Sequence, residues 1–179
     1  LKETAAGVEA NATPTPTSVV RSIGTAHRTW PCWSTRATNG PFGTPGDAAY
    51  VVDRHGIFQA CGPLGSRGPC IYVFDEDGTV WHASDAFGGR GTCAFTAEAD
   101  RLVRCQGSLG SKGSCALLLE GPKVFRADGA FCNKQEGAFV IDGNTVFLAE
   151  GPFAAKGDAI LHVEGSVPMI ALLAILAGL

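Results

Sequence analysis

Short apolar runs alternate with small and acidic residues along most of this chain, and they do so on a fixed period. Tyr72-Val73-Phe74, Leu117-Leu118-Leu119 and Phe139-Val140-Ile141 have the length and composition of buried strands. An acidic residue follows each run, and then a turn that often carries Gly: Asp77-Gly78, Glu120-Gly121, Asp142-Gly143, Glu164-Gly165. A second short run comes next, as Ile57-Phe58, Val80-Trp81, Leu102-Val103, Val124-Phe125 and Val146-Phe147. It ends on a small residue (Ala60, Ala83, Cys105, Ala127 or Ala149) two places before a nine-residue loop. The loops are residues 40–48 (GPFGTPGDA), 62–70 (GPLGSRGPC), 85–93 (DAFGGRGTC), 107–115 (GSLGSKGSC), 129–137 (GAFCNKQEG) and 151–159 (GPFAAKGDA). Their starts step by 22, 23, 22, 22 and 22 residues. The predicted unit is therefore loop, strand, turn, strand, with no helical period through the repeats.

A fixed period of this size marks a repeat architecture. The expected fold class is all-β, with six strand-turn-strand repeats of about 22 residues. A parallel β-solenoid is the preferred arrangement, with like positions stacked about 4.8 Å apart. Rows of Ala and Cys at equivalent places would fill its narrow interior. The alternative is a β-trefoil or another hairpin barrel; a trefoil alternates two hairpin types, and the even spacing speaks against it. The organisation read from the chain is an extended Thr/Pro-rich arm over 1–17, an N-terminal cap over 18–39, the β-repeat domain over 40–171 and an apolar tail over 172–179.

The two ends carry their own signals. The arm buries too little apolar surface to fold alone, and Asn11-Ala12-Thr13 makes Asn11 a candidate glycosylation site. Trp30-Pro31-Cys32-Trp33 reads as an apolar plug over an open repeat end. The chain opens on Leu1 without a basic and apolar leader, as expected of a mature form or a fragment. At the other end, residues 167–179 (VPMIALLAILAGL) carry no charge and are too few to span a bilayer as a helix. Leu172, Leu173, Ile175, Leu176 and Leu179 are expected to dock into a membrane or a partner chain, the remaining option being a cap on the last coil.

Composition narrows the function. A net charge of −3 gives no global pull toward nucleic acid. Seven cysteines without a Cys-x-x-Cys pair point to disulfides in an extracytoplasmic compartment, secreted, cell-surface or lumenal. Cys70, Cys93 and Cys115 share a unit position and would come within disulfide range along a solenoid, whereas in a hairpin arrangement Cys61 and Cys70 would clamp one loop; Cys32 and Cys132 have no evident mate. With the first loop residue as position 0, position 5 is Arg67, Arg90, Lys112, Lys134 and Lys156, with Pro45 in the first unit. Position 13 is acidic in every unit: Asp53, Asp75, Glu98, Glu120, Asp142, Glu164. In a solenoid these become a basic and an acidic row on separate edges. The five cations are the candidate site for a partner or a polyanion. Asp75-Glu76-Asp77-Gly78 lacks the ligand spacing of a calcium loop. No nucleophile stands beside a base, so neither metal, cofactor nor catalysis is expected. The reading is a non-enzymatic structural or accessory subunit of a larger assembly, whether membrane-bound or not. Its expected partners are other protein subunits, membrane-embedded ones among the options; the alternative is a module for carbohydrate or anionic polysaccharide.

Overall fold

The computed structural model describes residues 18–22, 47–62, 65–107 and 110–179. They form an antiparallel meander. Its strands are β1 (Ser18–Ser22), β2 (Ala48–Val52), β3 (Gly56–Cys61), β4 (Ser66–Phe74), β5 (Thr79–Ala83), β6 (Arg90–Glu98), β7 (Arg101–Gln106), β8 (Ser111–Glu120), β9 (Lys123–Asp128), β10 (Asn133–Asp142), β11 (Thr145–Glu150) and β12 (Ala155–Glu164). From β2 to β12 each strand pairs with the next in sequence. β1 pairs with both β2 and β12, and this joins the ends of the sheet into a closed order. The arm, Asn11, the Trp30–Trp33 plug and the loop of the first unit lie outside the described residues. Residues 18–22, read as part of a cap, are instead the closing strand β1.

The all-β expectation holds, but the parallel stacking of a solenoid does not. The acidic turns decide this. Residues 99–100, 121–122 and 143–144 are all that separate their flanking strands. Gly121 and Gly143 take φ of 58°, and Ala99 takes φ of 46° where the unit lacks a Gly. Two-residue turns with left-handed backbone reverse the chain, so the second strand of a unit must pair antiparallel with the first. Like positions of successive units then lie two strands apart rather than one.

The other junction, from one unit's second strand to the next unit's first, also repeats. Ile57 faces Tyr72 and Phe58 faces Cys70, which leaves Ile71 as an extra residue. Ala94, Ala116, Ala138 and Ile160 are skipped in the same way. A bulge at every such junction bends and twists the sheet, which favours closure.

Alternate residues enter two separate clusters, one on each face of the sheet. Ile57, Val80, Leu102, Val124 and Val146 hold one unit position, and all are 0% exposed. They share the inner core with α1 (Met169–Ala177). Phe58, Val51, Cys70 and Val73 form a smaller cluster on the outer face. Ala, Leu, Ile and Met favour helix, and a helix apolar on every side is stable only when surrounded. Consistent with this, residues 171–176 are all buried.

This overturns the docking role expected of the C-terminal run. Leu172, Leu173, Ile175 and Leu176 are core side chains, and of the five named only Leu179 is exposed. The helix starts at Met169, so the boundary drawn between 171 and 172 falls inside it. The short run does not project because the closed sheet offers it an apolar interior. No helix among the described residues is long and apolar enough to cross a membrane.

Candidate functional site

The cation row is built at the bulged junctions. Arg67 begins β4 and points along the outer face over Phe58, with its guanidinium carbon 3.5 Å from the ring centroid. It ends on the Asp53 carboxylate at 2.8 Å. The same arrangement repeats down the chain. Arg90 pairs with Asp75, Lys112 with Glu98, Lys134 with Glu120 at 2.6 Å, and Lys156 with Asp142. Arg90 lies 6.0 Å from Trp81, Lys134 3.8 Å from Phe125 and Lys156 5.3 Å from Phe147. In the third unit Val103 takes the aromatic place. Each cation thus meets the position-13 carboxylate of the unit before it.

The basic and acidic rows expected on separate edges are therefore one neutral band. Antiparallel hairpins bring position 5 of one unit beside position 13 of its predecessor, and this removes the repulsion that stacked like charges would suffer. The cations are about half exposed, so each pair contributes only about 0–1 kcal/mol. Glu98 also receives Arg101 at 3.2 Å. Its carboxyl is held below the ordinary range by Lys112 first and then by Arg101. The acidic stretch at 75–78 is spent locally. Asp75 takes Arg90 and the Trp81 indole N–H, and Asp77 accepts the Thr79 amide. Among the described residues no group of three His, Cys, Asp or Glu side chains is placed to hold a metal. His82 stacks at 5.2 Å on Tyr72, and His162 Nδ1 lies 3.5 Å from the Thr145 hydroxyl.

The rows of small residues line outer-face junctions rather than a solenoid interior. Positions 8 and 20 of one unit meet position 3 of the next. A Cβ on Gly137 would lie 2.5 Å from that of Ala154 and 3.2 Å from that of Ala149. A Cβ on Gly88 would lie 3.6 Å from Cys70 Sγ, and one on Gly110 3.3 Å from Cys93 Cβ. The cysteines follow these triads. Cys93 bonds Cys105 with a Cα separation of 5.6 Å, and Cys115 bonds Cys132 with 5.0 Å. The three position-8 cysteines do not pair with one another, because antiparallel order sets them two strands apart. Cys70 is buried and free, Cys61 is exposed and free, and Cys32 lies outside the described residues.

The constant apolar residue of the loops is legible in the sequence, but its exposure is not. Position 2 of each loop is Phe or Leu, and where its side chain is described it stands in solvent. Phe87 and Phe131 are 91% exposed and Phe153 is 82% exposed. Each loop from the second unit on turns between positions 0 and 3: Cys132 N–H donates to the Gly129 carbonyl at 3.3 Å, and Ala154 N–H to that of Gly151 at 3.2 Å. Gly129 and Gly151 supply the left-handed backbone with φ of 72° and 68°. In the third unit the Asp85 carboxylate accepts the amides of Phe87 at 2.8 Å and Gly89 at 3.0 Å. Those amides hold the Asp85 carboxyl below its ordinary range. Lys123 braces the sixth loop by donating to the Phe153 carbonyl at 2.5 Å. Fixed backbone thus presents unsupported rings at one end of the sheet. The signal available in the sequence was an apolar residue kept at the centre of a glycine turn, where no strand needs it.

Comparison of the chain with protein-family models, with curated proteins and with solved structures finds no match.

Proposed function

We propose that the protein is a non-enzymatic, extracytoplasmic binding protein, a closed hairpin barrel of six repeat units that serves as an accessory subunit of a larger assembly. One observation carries the reading: Phe87, Phe131 and Phe153 are exposed at the turn apices of one barrel end. Single exposed apolar residues are ordinary; here the exposure recurs at one unit position on a glycine turn, and that recurrence supports a docking role. The two disulfides support an oxidising compartment. The non-enzymatic part rests on the absence of a nucleophile-and-base motif in the sequence.

The loop rim is favoured over the cation row as the docking surface. Every position-5 cation already has a carboxylate, so binding an anionic polysaccharide there would first have to break ion pairs. The C-terminal helix is favoured neither for docking nor for anchoring, since its large side chains stabilise the core.

Gel filtration of the native assembly, extracted together with its surrounding lipid, tests this reading, with tagged wild type compared against Phe87→Ser/Phe131→Ser/Phe153→Ser. Wild type is expected in the high-mass fraction and the variant as free protein. Equal retention of both in the high-mass fraction would refute docking through the rim.

A further inference from the structure

We infer that the loop rim meets its assembly at the bilayer surface around it, with Phe87, Phe131 and Phe153 seated among the headgroups; this rests on the docking reading and names lipid as what the rim touches. The geometry of the tips carries the choice. Like loops of successive units are separated by two strand spacings, about 10 Å. That is wider than a phenyl ring, so the rings stand apart instead of forming one patch. A protein partner needs a contiguous dry contact of about 800 Å² per side. The three rings at the described tips offer about 450–750 Å² in separate pieces, at 150–250 Å² for each aromatic. A fluid surface closes around each ring separately and needs no continuity.

The residues beside each ring fit the same occupant. The neighbours are Ala86 and Gly88, Ala130 and Cys132, and Pro152 and Ala154, all uncharged. The nearest acid in the third loop, Asp85, is turned back onto the amides of Phe87 and Gly89. A tip can therefore enter the interface without carrying a charge into it. The backbone of each loop is already fixed by its own turn bond, so insertion orders little beyond the ring itself. Three residues after each Phe comes a cation, Arg90, Lys134 or Lys156, already matched by a carboxylate. Attraction to the surface is thus apolar and does not require anionic lipid, unlike a polybasic segment.

Co-sedimentation with phosphatidylcholine vesicles, at low and at high salt, tests the inference. Wild type is expected to co-sediment equally at both. Each single Phe→Ser change should lower partitioning roughly five- to tenfold, and the triple change roughly a hundredfold or more. The urea midpoint of the triple variant should match wild type, because the rings touch little in the folded protein. Equal vesicle binding by wild type and the triple variant overturns the inference. So does binding only to vesicles containing phosphatidylserine that is lost in high salt, which would return the site to the cation row. Concentration-dependent self-association that the triple change abolishes would assign the rim to a second copy of the chain. If wild type ignores vesicles yet the triple variant leaves the native assembly, the lipid inference falls and the docking reading stands. If neither vesicles nor the assembly distinguishes the two proteins, both fall.

Discussion

Leu176→Ala is the sharpest test of where the C-terminal run belongs. The side chain is 2% exposed, in a helix whose residues 171–176 are all buried. Burying Leu172, Leu173, Ile175 and Leu176 contributes about 6–12 kcal/mol before the cost of ordering them. Domains of this size are stable by only about 5–15 kcal/mol, so the helix is a condition of the fold. Removing one buried Leu costs its transfer free energy and leaves a cavity, together about 3–5 kcal/mol. Ala is at least as good a helix former as Leu, so helix propensity does not add to the loss. With a urea dependence of about 2 kcal/mol per M, the midpoint should fall by about 1.5–2.5 M. Leu179→Ala is the control: it is the same chemical change, two residues after the helix, at a side chain 49% exposed. It should move the midpoint by about 0.25 M or less. Urea titration followed by tryptophan fluorescence and by far-UV circular dichroism reads both. If the two variants shift the midpoint alike, by less than about 0.5 M, the helix is not core and the packing argument fails.

The small-residue triads predict a compensating pair. Gly137→Ala puts a Cβ into Ala154 and should cost about 1–3 kcal/mol. Adding Ala154→Gly should recover part of that loss, since it removes the 2.5 Å contact and suits the φ of 49° there, while Ala154 Cα at 3.1 Å and Ala149 Cβ at 3.2 Å stay close; additive losses in thermal unfolding would contradict the triad. Glu120→Gln with Asp142→Asn strips Lys134 and Lys156 of their carboxylates, so retention on heparin at low salt should rise above wild type, and unchanged retention would mean that the pairs do not mask the cations. Glu98, whose carboxyl is lowered in the fold, contributes stability that is complete above its ordinary unfolded range and is lost as pH falls below about 4–5 through the folded value. Urea midpoints measured down that range should fall less for Glu98→Gln than for wild type, and parallel curves would deny Glu98 the role.

Much of the local structure was legible because short-range physics decides it. Tyr72-Val73-Phe74 and Val124-Phe125 carry the β-branched and aromatic residues that suit a half-buried strand, and Asp142-Gly143 turns because Gly accepts a left-handed backbone. The in-register cations and acids could also be read, but not their pairing. Whether Lys134 repels Lys112 or meets Glu120 depends on which strand lies next to which. The cysteines show the same limit. Cys132 appeared to have no mate until the loop of its unit folded over Cys115 in the unit before it. Phe131 was visible as a constant apolar position, and its exposure was not, because a loop residue of that type is buried or bare according to what the loop lies against.

The sequence by itself determined the all-β class, the period, the strand and turn positions and the cysteine-rich character. Each of these follows from residues within one unit. Tertiary structure alone decided that the units run as antiparallel hairpins, that β1 joins β2 to β12, and that the apolar end of the chain becomes a helix in the core. Residues 169–177 have the same composition whether they lie in a bilayer, a partner or a core. Burial of apolar surface has no direction of its own, so only the closure of the sheet around an apolar interior could choose among them.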